Sequence, residues 1–192
     1  GRACIPLGAP YAESLGFEVL PHQLFPTVVT DYTAYLLKAR ELGANFIFME
    51  KTDPDFITLI KNAEALGMEI GIGPGKTMFM TMTEAVTTMV PDAGGEAVEG
   101  AWGLSPFATW LREDVKGVKW DKETMLEYRG EDSYNLNWYT GFTMGRVSWE
   151  VIRLTAEKYG PENITRETVF ETFCSLKDLD MWGITPPISY GE

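Results

Sequence analysis

Gly43-Ala44-Asn45-Phe46-Ile47-Phe48-Met49, then Thr52-Asp53-Pro54-Asp55, then Gly67-Met68-Glu69-Ile70-Gly71-Ile72: in order, these residues spell strand, helix start, helix stop and strand. Each glycine follows an amphipathic stretch and precedes a short apolar one, which is how a helix ends on a left-handed residue and hands the chain to a buried strand. Asp53 caps a helix whose first residue is Pro54, and Asp55 complements the dipole of that helix. Phe46–Met49 is apolar without alternation, as suits a strand covered on both faces. Gly16, before Phe-Glu-Val-Leu, repeats the signal upstream. Iteration of this unit predicts an α/β fold, a parallel sheet with helices on both faces, and such sheets place ligands beyond the carboxyl ends of their strands.

Upstream of this stretch, residues 2–15 read as a helix interrupted between Pro6 and Pro10, and Phe17–Phe25 as a strand with breaks at Pro21 and Pro26. A helix capped by Thr30 or Asp31 then runs to Leu42. Downstream, residues 73–77 read as a loop and 81–90 as a weaker helix. Pro91–Gly95 reads as a second loop, and Ala97–Leu104 as a further strand. Trp120-Asp121 opens a short helix, with Trp120 and Met125 as a staple around an Asp cap. The longest helix spans 133–159, with Trp138, Phe142, Gly145, Trp149, Ile152 and Ala156 as its apolar stripe and Val147, Val151 and Leu154 off it, so it is buried on several sides. Ile164-Thr165 and Val169 staple a helix reaching Leu176, and Trp182–Tyr190 is an extended tail.

The chain has 192 residues, 45% of them apolar, and a net charge of −12. That acidic balance disfavours nucleic acid as a partner. No apolar run approaches the ~20 residues of a membrane helix. Cys4 and Cys174 are the only cysteines; they read as unpaired thiols, with a disulfide between them the alternative in an oxidising compartment. His22 is the only histidine, so histidine triads and multi-histidine metal sites lack material, and no cofactor is expected. Gly1-Arg2-Ala3-Cys4 opens without Met or signal peptide and reads as the start of a fragment or processed chain.

Three features invite a chemical reading. Gly75-Lys76-Thr77 resembles the end of a phosphate-binding loop, but the motif needs glycine five positions earlier, and Ile70 stands there. Glu50, Asp53 and Asp55 cluster at one strand end, with Asp53 and Asp55 already occupied at a helix start. Trp102, Tyr134, Trp138 and Tyr139 lie near element ends, where an aromatic can line a pocket, although core packing is the commoner role.

The order Phe25-Pro26, Thr30-Asp31-Tyr32, Leu37-Lys38-Ala39, Leu42 to Phe48, Thr52 to Asp55, Leu59 to Ala63 and Leu66-Gly67 resembles the leucine/isoleucine/valine-binding proteins, type I periplasmic solute-binding proteins of ABC importers. Ala97 to Ala101, Tyr139 with Gly141-Phe142, Glu150 to Arg153, and Ile164-Thr165 with Glu167 and Val169 extend the match. The resemblance implies two α/β lobes closing on a ligand, of which this chain is the later half. Residues 1–105 would be the second lobe without its first strand. Residues 106–192 would be the crossover and a helical segment packing on the first lobe. It implies ligand contacts at Glu50, Lys51, Thr52 and Asp53 and at Pro74, Gly75 and Lys76, with Lys76 favouring a carboxylate or neutral ligand over an ammonium; Trp102, an aromatic near an element end, joins them as a candidate contact. It further implies a small-molecule ligand, an ABC permease as membrane partner, a first lobe elsewhere in the same protein, and a periplasmic or extracellular location. Two rivals remain: an enzyme on a flavodoxin-like or Rossmann-like sheet using Glu50 or Lys76, and the ligand-sensing domain of a receptor.

Overall fold

A computed structural model describes residues 5–131 and 136–191. The chain forms two compact units, Gly1–Ser105 and Pro106–Glu192.

The first unit runs α1 (Ile5–Ser14), α2 (Thr33–Glu41), β1 (Phe46–Met49), α3 (Asp53–Ala65), β2 (Glu69–Ile70), β3 (Lys76–Thr81), α4 (Met89–Gly94) and β4 (Trp102–Gly103). Every strand pairing is parallel. β3 is central: β1 lies on one side of it, while β2 pairs its beginning and β4 its end on the other. Gly43 and Gly67 take φ of 76° and 69°, the left-handed conformation that stops α2 and α3. The Asp31 carboxylate accepts the Thr33 N–H at 2.7 Å and fixes the entry to α2.

One sheet face is well covered. Met49 and Phe79 pack on Phe56, Leu59, Ile60 and Ala63 of α3 and on Tyr32 and Leu36 at the start of α2. By strand alternation Phe46 and Phe48 point the other way, and both remain exposed, at 36% and 41%. The chain leaving α1 reaches this second face, where the Phe17 ring lies 6.1 Å from that of Phe46. Cover on both faces, expected from the unbroken apolar run, is therefore only partial.

Several boundaries differ from expectation. Phe17–Phe25 forms no strand, since Pro21 within it and Pro26 after it remove ladder donors and no neighbouring strand pairs with it. Residues 76–81 form the central strand, where 76–77 were expected to end a loop and 81 to begin a weak helix; the Gly-Pro-Gly turn preceding it hid an apolar run as β-prone as β1, and of the expected helix over 81–90 only a 3₁₀ turn at Thr83–Ala85 and the start of α4 form. Pro91–Gly94 is helical and belongs to α4. Ala97–Leu104 contributes only a two-residue strand after a 3₁₀ turn at Gly95–Val98.

The second unit contains α5 (Lys116–Arg129), α6 (Leu136–Tyr159) and α7 (Arg166–Ser175). Positions 133–135 of the expected long helix, residues 2–4 of the expected first helix, Tyr134 and Cys4 lie outside the described residues. α5 begins at Lys116, so Asp121 is no cap: it sits mid-helix and is buried with Gly117, Val118 and Met125. The buried stripe of α6 is Tyr139, Thr143, Val147, Val151 and Thr155, whereas Trp149 is 65% exposed, so the expected and actual stripes exchange places. Thr143 and Thr155 tolerate burial because their hydroxyls donate to the carbonyls of Tyr139 and Val151 one turn back. Thr165 caps α7 reciprocally with Thr168: each backbone N–H donates to the other's hydroxyl.

Candidate functional site

Parallel pairing puts strand ends together. Met49 pairs with Thr81, and Thr81 with Gly103, so β1, β3 and β4 finish level with one another. The chain leaves this rim through Glu50–Thr52, through Met82–Thr88 and through Leu104. The Thr81 hydroxyl donates to the Met49 carbonyl at 3.1 Å, and the Leu104 N–H donates to the Thr81 carbonyl at 2.9 Å, locking the three exits side by side.

The first exit loop is an interlocked polar cluster. The Lys51 ammonium lies 3.2 Å from the Asp55 carboxylate, donates to the Thr27 carbonyl and sits 5.7 Å from the centre of the Phe25 ring. Asp55 also accepts from the Tyr32 hydroxyl at 2.6 Å and from the Thr52 hydroxyl at 3.1 Å. Burial opposes ionisation of Asp55, but the hydrogen bonds from Tyr32, Lys51 and Thr52 outweigh it and hold its carboxyl below the usual carboxylate range. Burial, reinforced by Asp55, pushes the Tyr32 phenol up. Asp53 behaves oppositely: burial raises its carboxyl against hydrogen bonds from the Thr87 hydroxyl and backbone, and its Oδ1 is buried with no hydrogen-bond partner. Thus Asp53, expected to cap α3, bridges to the second exit loop, and Thr52 takes the cap position.

Beside this cluster an open hollow of about 230 Å³ is lined by Phe56, Thr81, Val86, Thr87, Val98 and Trp102 among others. Trp102 is 50% exposed. The walls are mostly apolar with two threonines, a surface suited to a small solute with an apolar body. Among the described residues no group of three or more His, Cys, Asp or Glu side chains is gathered to hold a metal, and no described helix is long and apolar enough to cross a membrane.

The structure brings Glu50, Lys51, Thr52, Asp53 and Trp102 to this rim. It places Pro74 and Gly75 elsewhere, just before β3, and Lys76 at the first residue of β3, five residues and about 16 Å along the strand from the rim. Lys76 therefore stands at the opposite end of β3 from this rim. Thr81, Val86 and Thr87 are the rim residues that sequence reasoning passed over. Recognising Met78-Phe79-Met80 as a strand would have exposed them.

A family model described as "Periplasmic binding protein" matches residues 1–189. No curated protein sequence matches the chain. Among solved structures it is similar to a branched-chain amino acid ABC transporter protein from Thermus thermophilus with bound valine, at 21% identity and a TM-score of 0.82, covering 100% of this chain and 50% of that one. A fatty acid ABC transporter substrate-binding protein from Thermomonospora curvata gives 16% identity and 0.78 over 99% of this chain and 46% of that one. A leucine-binding protein from Thermotoga maritima gives 20% and 0.70 over 96% and 47%. The chain therefore spans about half the length of the structures it matches, and at these identities the likeness establishes the fold alone, the α/β architecture of type I periplasmic binding proteins. With the family model matched along nearly its whole length, the chain belongs to the periplasmic binding protein family.

Proposed function

We propose that this chain is the later half of the substrate-binding component of an ABC importer, a non-catalytic protein that delivers a small organic solute to a membrane permease from the periplasmic or extracellular side. One observation carries the reading: the ends of β1, β3 and β4 are level and frame an apolar hollow at their carboxyl side, where open parallel sheets bind ligands. In this reading Trp102, Val86 and Thr87 form one jaw, with Glu50–Asp53 beside them, and another α/β lobe supplies the facing jaw. Ligand favours the closed arrangement because only there does it touch both. A branched-chain amino acid or related carboxylate, with an aliphatic body for the apolar wall, is the proposed ligand class.

Calorimetric titration of the two-lobed protein with branched-chain amino acids, aliphatic acids and aromatic acids tests this. One of these classes should saturate the protein at one ligand per molecule. Absence of saturable heat with all three sinks the proposal.

A further inference from the structure

α5 and α6 meet through a small set of side chains. Trp120 and Phe142 stack edge-on at 4.8 Å between ring centres, and the Arg129 guanidinium lies 5.9 Å from the Trp138 ring. At their centre is Asp121, 0% exposed. Its Oδ1 accepts the Trp138 indole N–H at 2.6 Å, while its Oδ2 is buried with no hydrogen-bond partner. Its surroundings are apolar: Trp110, Val118, Met125, Tyr139 and Ile184 form the buried cluster of this region.

Charged groups on the neighbouring elements are engaged elsewhere. On α5, Lys122 pairs with Glu113, Arg129 with Glu131, and Lys116 lies over Trp182; Lys119 and Glu123 are exposed. On α6, Arg146 pairs with Glu150. In the flanking segments, Arg112 pairs with Asp114, and Asp180 accepts the Trp182 N–H. Among the described residues only burial and the Trp138 indole act appreciably on the Asp121 carboxyl. An unpaired carboxylate in an apolar core is a costly arrangement, relieved either by taking a proton or by admitting water.

We propose that Asp121 is a proton-operated catch between α5 and α6: neutral, it stays buried against Trp138, and ionised, it draws water between the two helices and loosens them. The consequence spreads, because Tyr139, next to Trp138, donates to the Ala108 carbonyl at 3.0 Å, and the Ala108 N–H donates to the Ile184 carbonyl at 2.6 Å. A shift at the start of α6 therefore reaches both the segment entering the unit and its tail. Burial pushes the Asp121 carboxyl up to about 6, against the weaker opposing pull of the Trp138 N–H. In an unfolded chain the value is about 3.9. The folded pKa is the higher, so this stabilisation is complete below about pH 4 and is lost as the pH rises through about 6. Two pH units correspond to about a 100-fold change in the closed-to-open ratio.

The test is hydrogen exchange of the Trp138 indole N–H, followed by NMR in the full chain and corrected for intrinsic exchange, from about pH 4.5 to about pH 8. Asp121→Asn keeps an acceptor for the indole and cannot ionise. Wild type should lose roughly 25-fold in protection relative to this variant across that range, the part of the full change that lies above about pH 4.5. A purely structural bond would give parallel profiles, and parallel profiles overturn the proposal. Should the variant fail to fold, direct carbon NMR titration of the wild-type carboxyl decides. A midpoint near 6 with indole protection falling in step supports the catch; a midpoint at or below about 4, or flat protection, overturns it.

Discussion

Tyr32 is completely buried, and its hydroxyl helps Asp55 to be partly so. Donating at 2.6 Å, it joins Lys51 and Thr52 around one carboxylate and ties the approach to α2 onto the start of α3. Tyr32→Phe removes that donor without opening a cavity, and should cost about 1–3 kcal/mol in urea unfolding because the carboxylate loses a partner it cannot replace. Glu150 shows the opposite electrostatic balance to Asp121. The Arg153 guanidinium, with help from Arg146, overcomes burial and holds the Glu150 carboxyl down at about 2. Its folded pKa lies below the unfolded one, so its stabilisation is complete above the ordinary glutamate range and is lost as the pH falls towards 2. Urea unfolding followed by circular dichroism should therefore show wild type more stable than Glu150→Gln near about pH 6 and losing stability more steeply as the pH falls, with the two converging near about pH 2. Asp55 was legible in the sequence as a helix-start acid. Asp121 was misread because aspartate after tryptophan looks like a cap, although it falls on the stripe Gly117, Val118, Asp121, Met125 that α5 buries.

At the scale of the element, glycine is where sequence spoke most clearly, and two positions separate its uses. Gly67 ends α3 at φ 69° with open space where a Cβ would stand, so Gly67→Ala pays only for conformation, about 1 kcal/mol. Gly100, at φ 84°, brings the approach to β4 against β2: an added Cβ would stand 2.9 Å from the Ile70 carbonyl oxygen. Gly100→Ala should lower the thermal midpoint clearly more than Gly67→Ala, with a cost of about 1–3 kcal/mol beyond conformation alone. β1 and α3 could be read because each carries its own start and stop. β3 could not, because β2 and β3 are parallel neighbours joined by a five-residue turn, where a helical crossover is the usual link and the turn residues look like the end of a strand region. Phe17–Phe25 has strand-like composition, but a strand exists only with a neighbour to pair it, and that is a property of the sheet.

For the whole molecule, the order of elements conveyed the family, while the site was only half legible. The sequence points to the rim after β1 at Glu50–Asp53, but it points to Pro74–Lys76 for the neighbouring exit, because the loop after residues 68–72 looks like a strand end while β3 carries no start signal of its own. The two placements make different demands on binding. In the two-lobed protein, Trp102→Ala should weaken ligand binding about tenfold or more by calorimetry, the size expected for losing a half-buried aromatic contact, while Lys76→Met should leave it unchanged. Equal losses in both would return the site to the wrong end of β3.

Phe46 and Phe48, standing out from the less covered face of the sheet, also govern how the chain behaves on the bench. Sulfate strengthens the association of apolar surfaces, so in that salt the chain should cling to a phenyl matrix, and Phe48→Thr should elute from it earlier. Its charge of −12 works against this stickiness only while the ionic strength is low. Dilute buffer is therefore its natural storage medium, and salting-out is the step at which it is most easily lost.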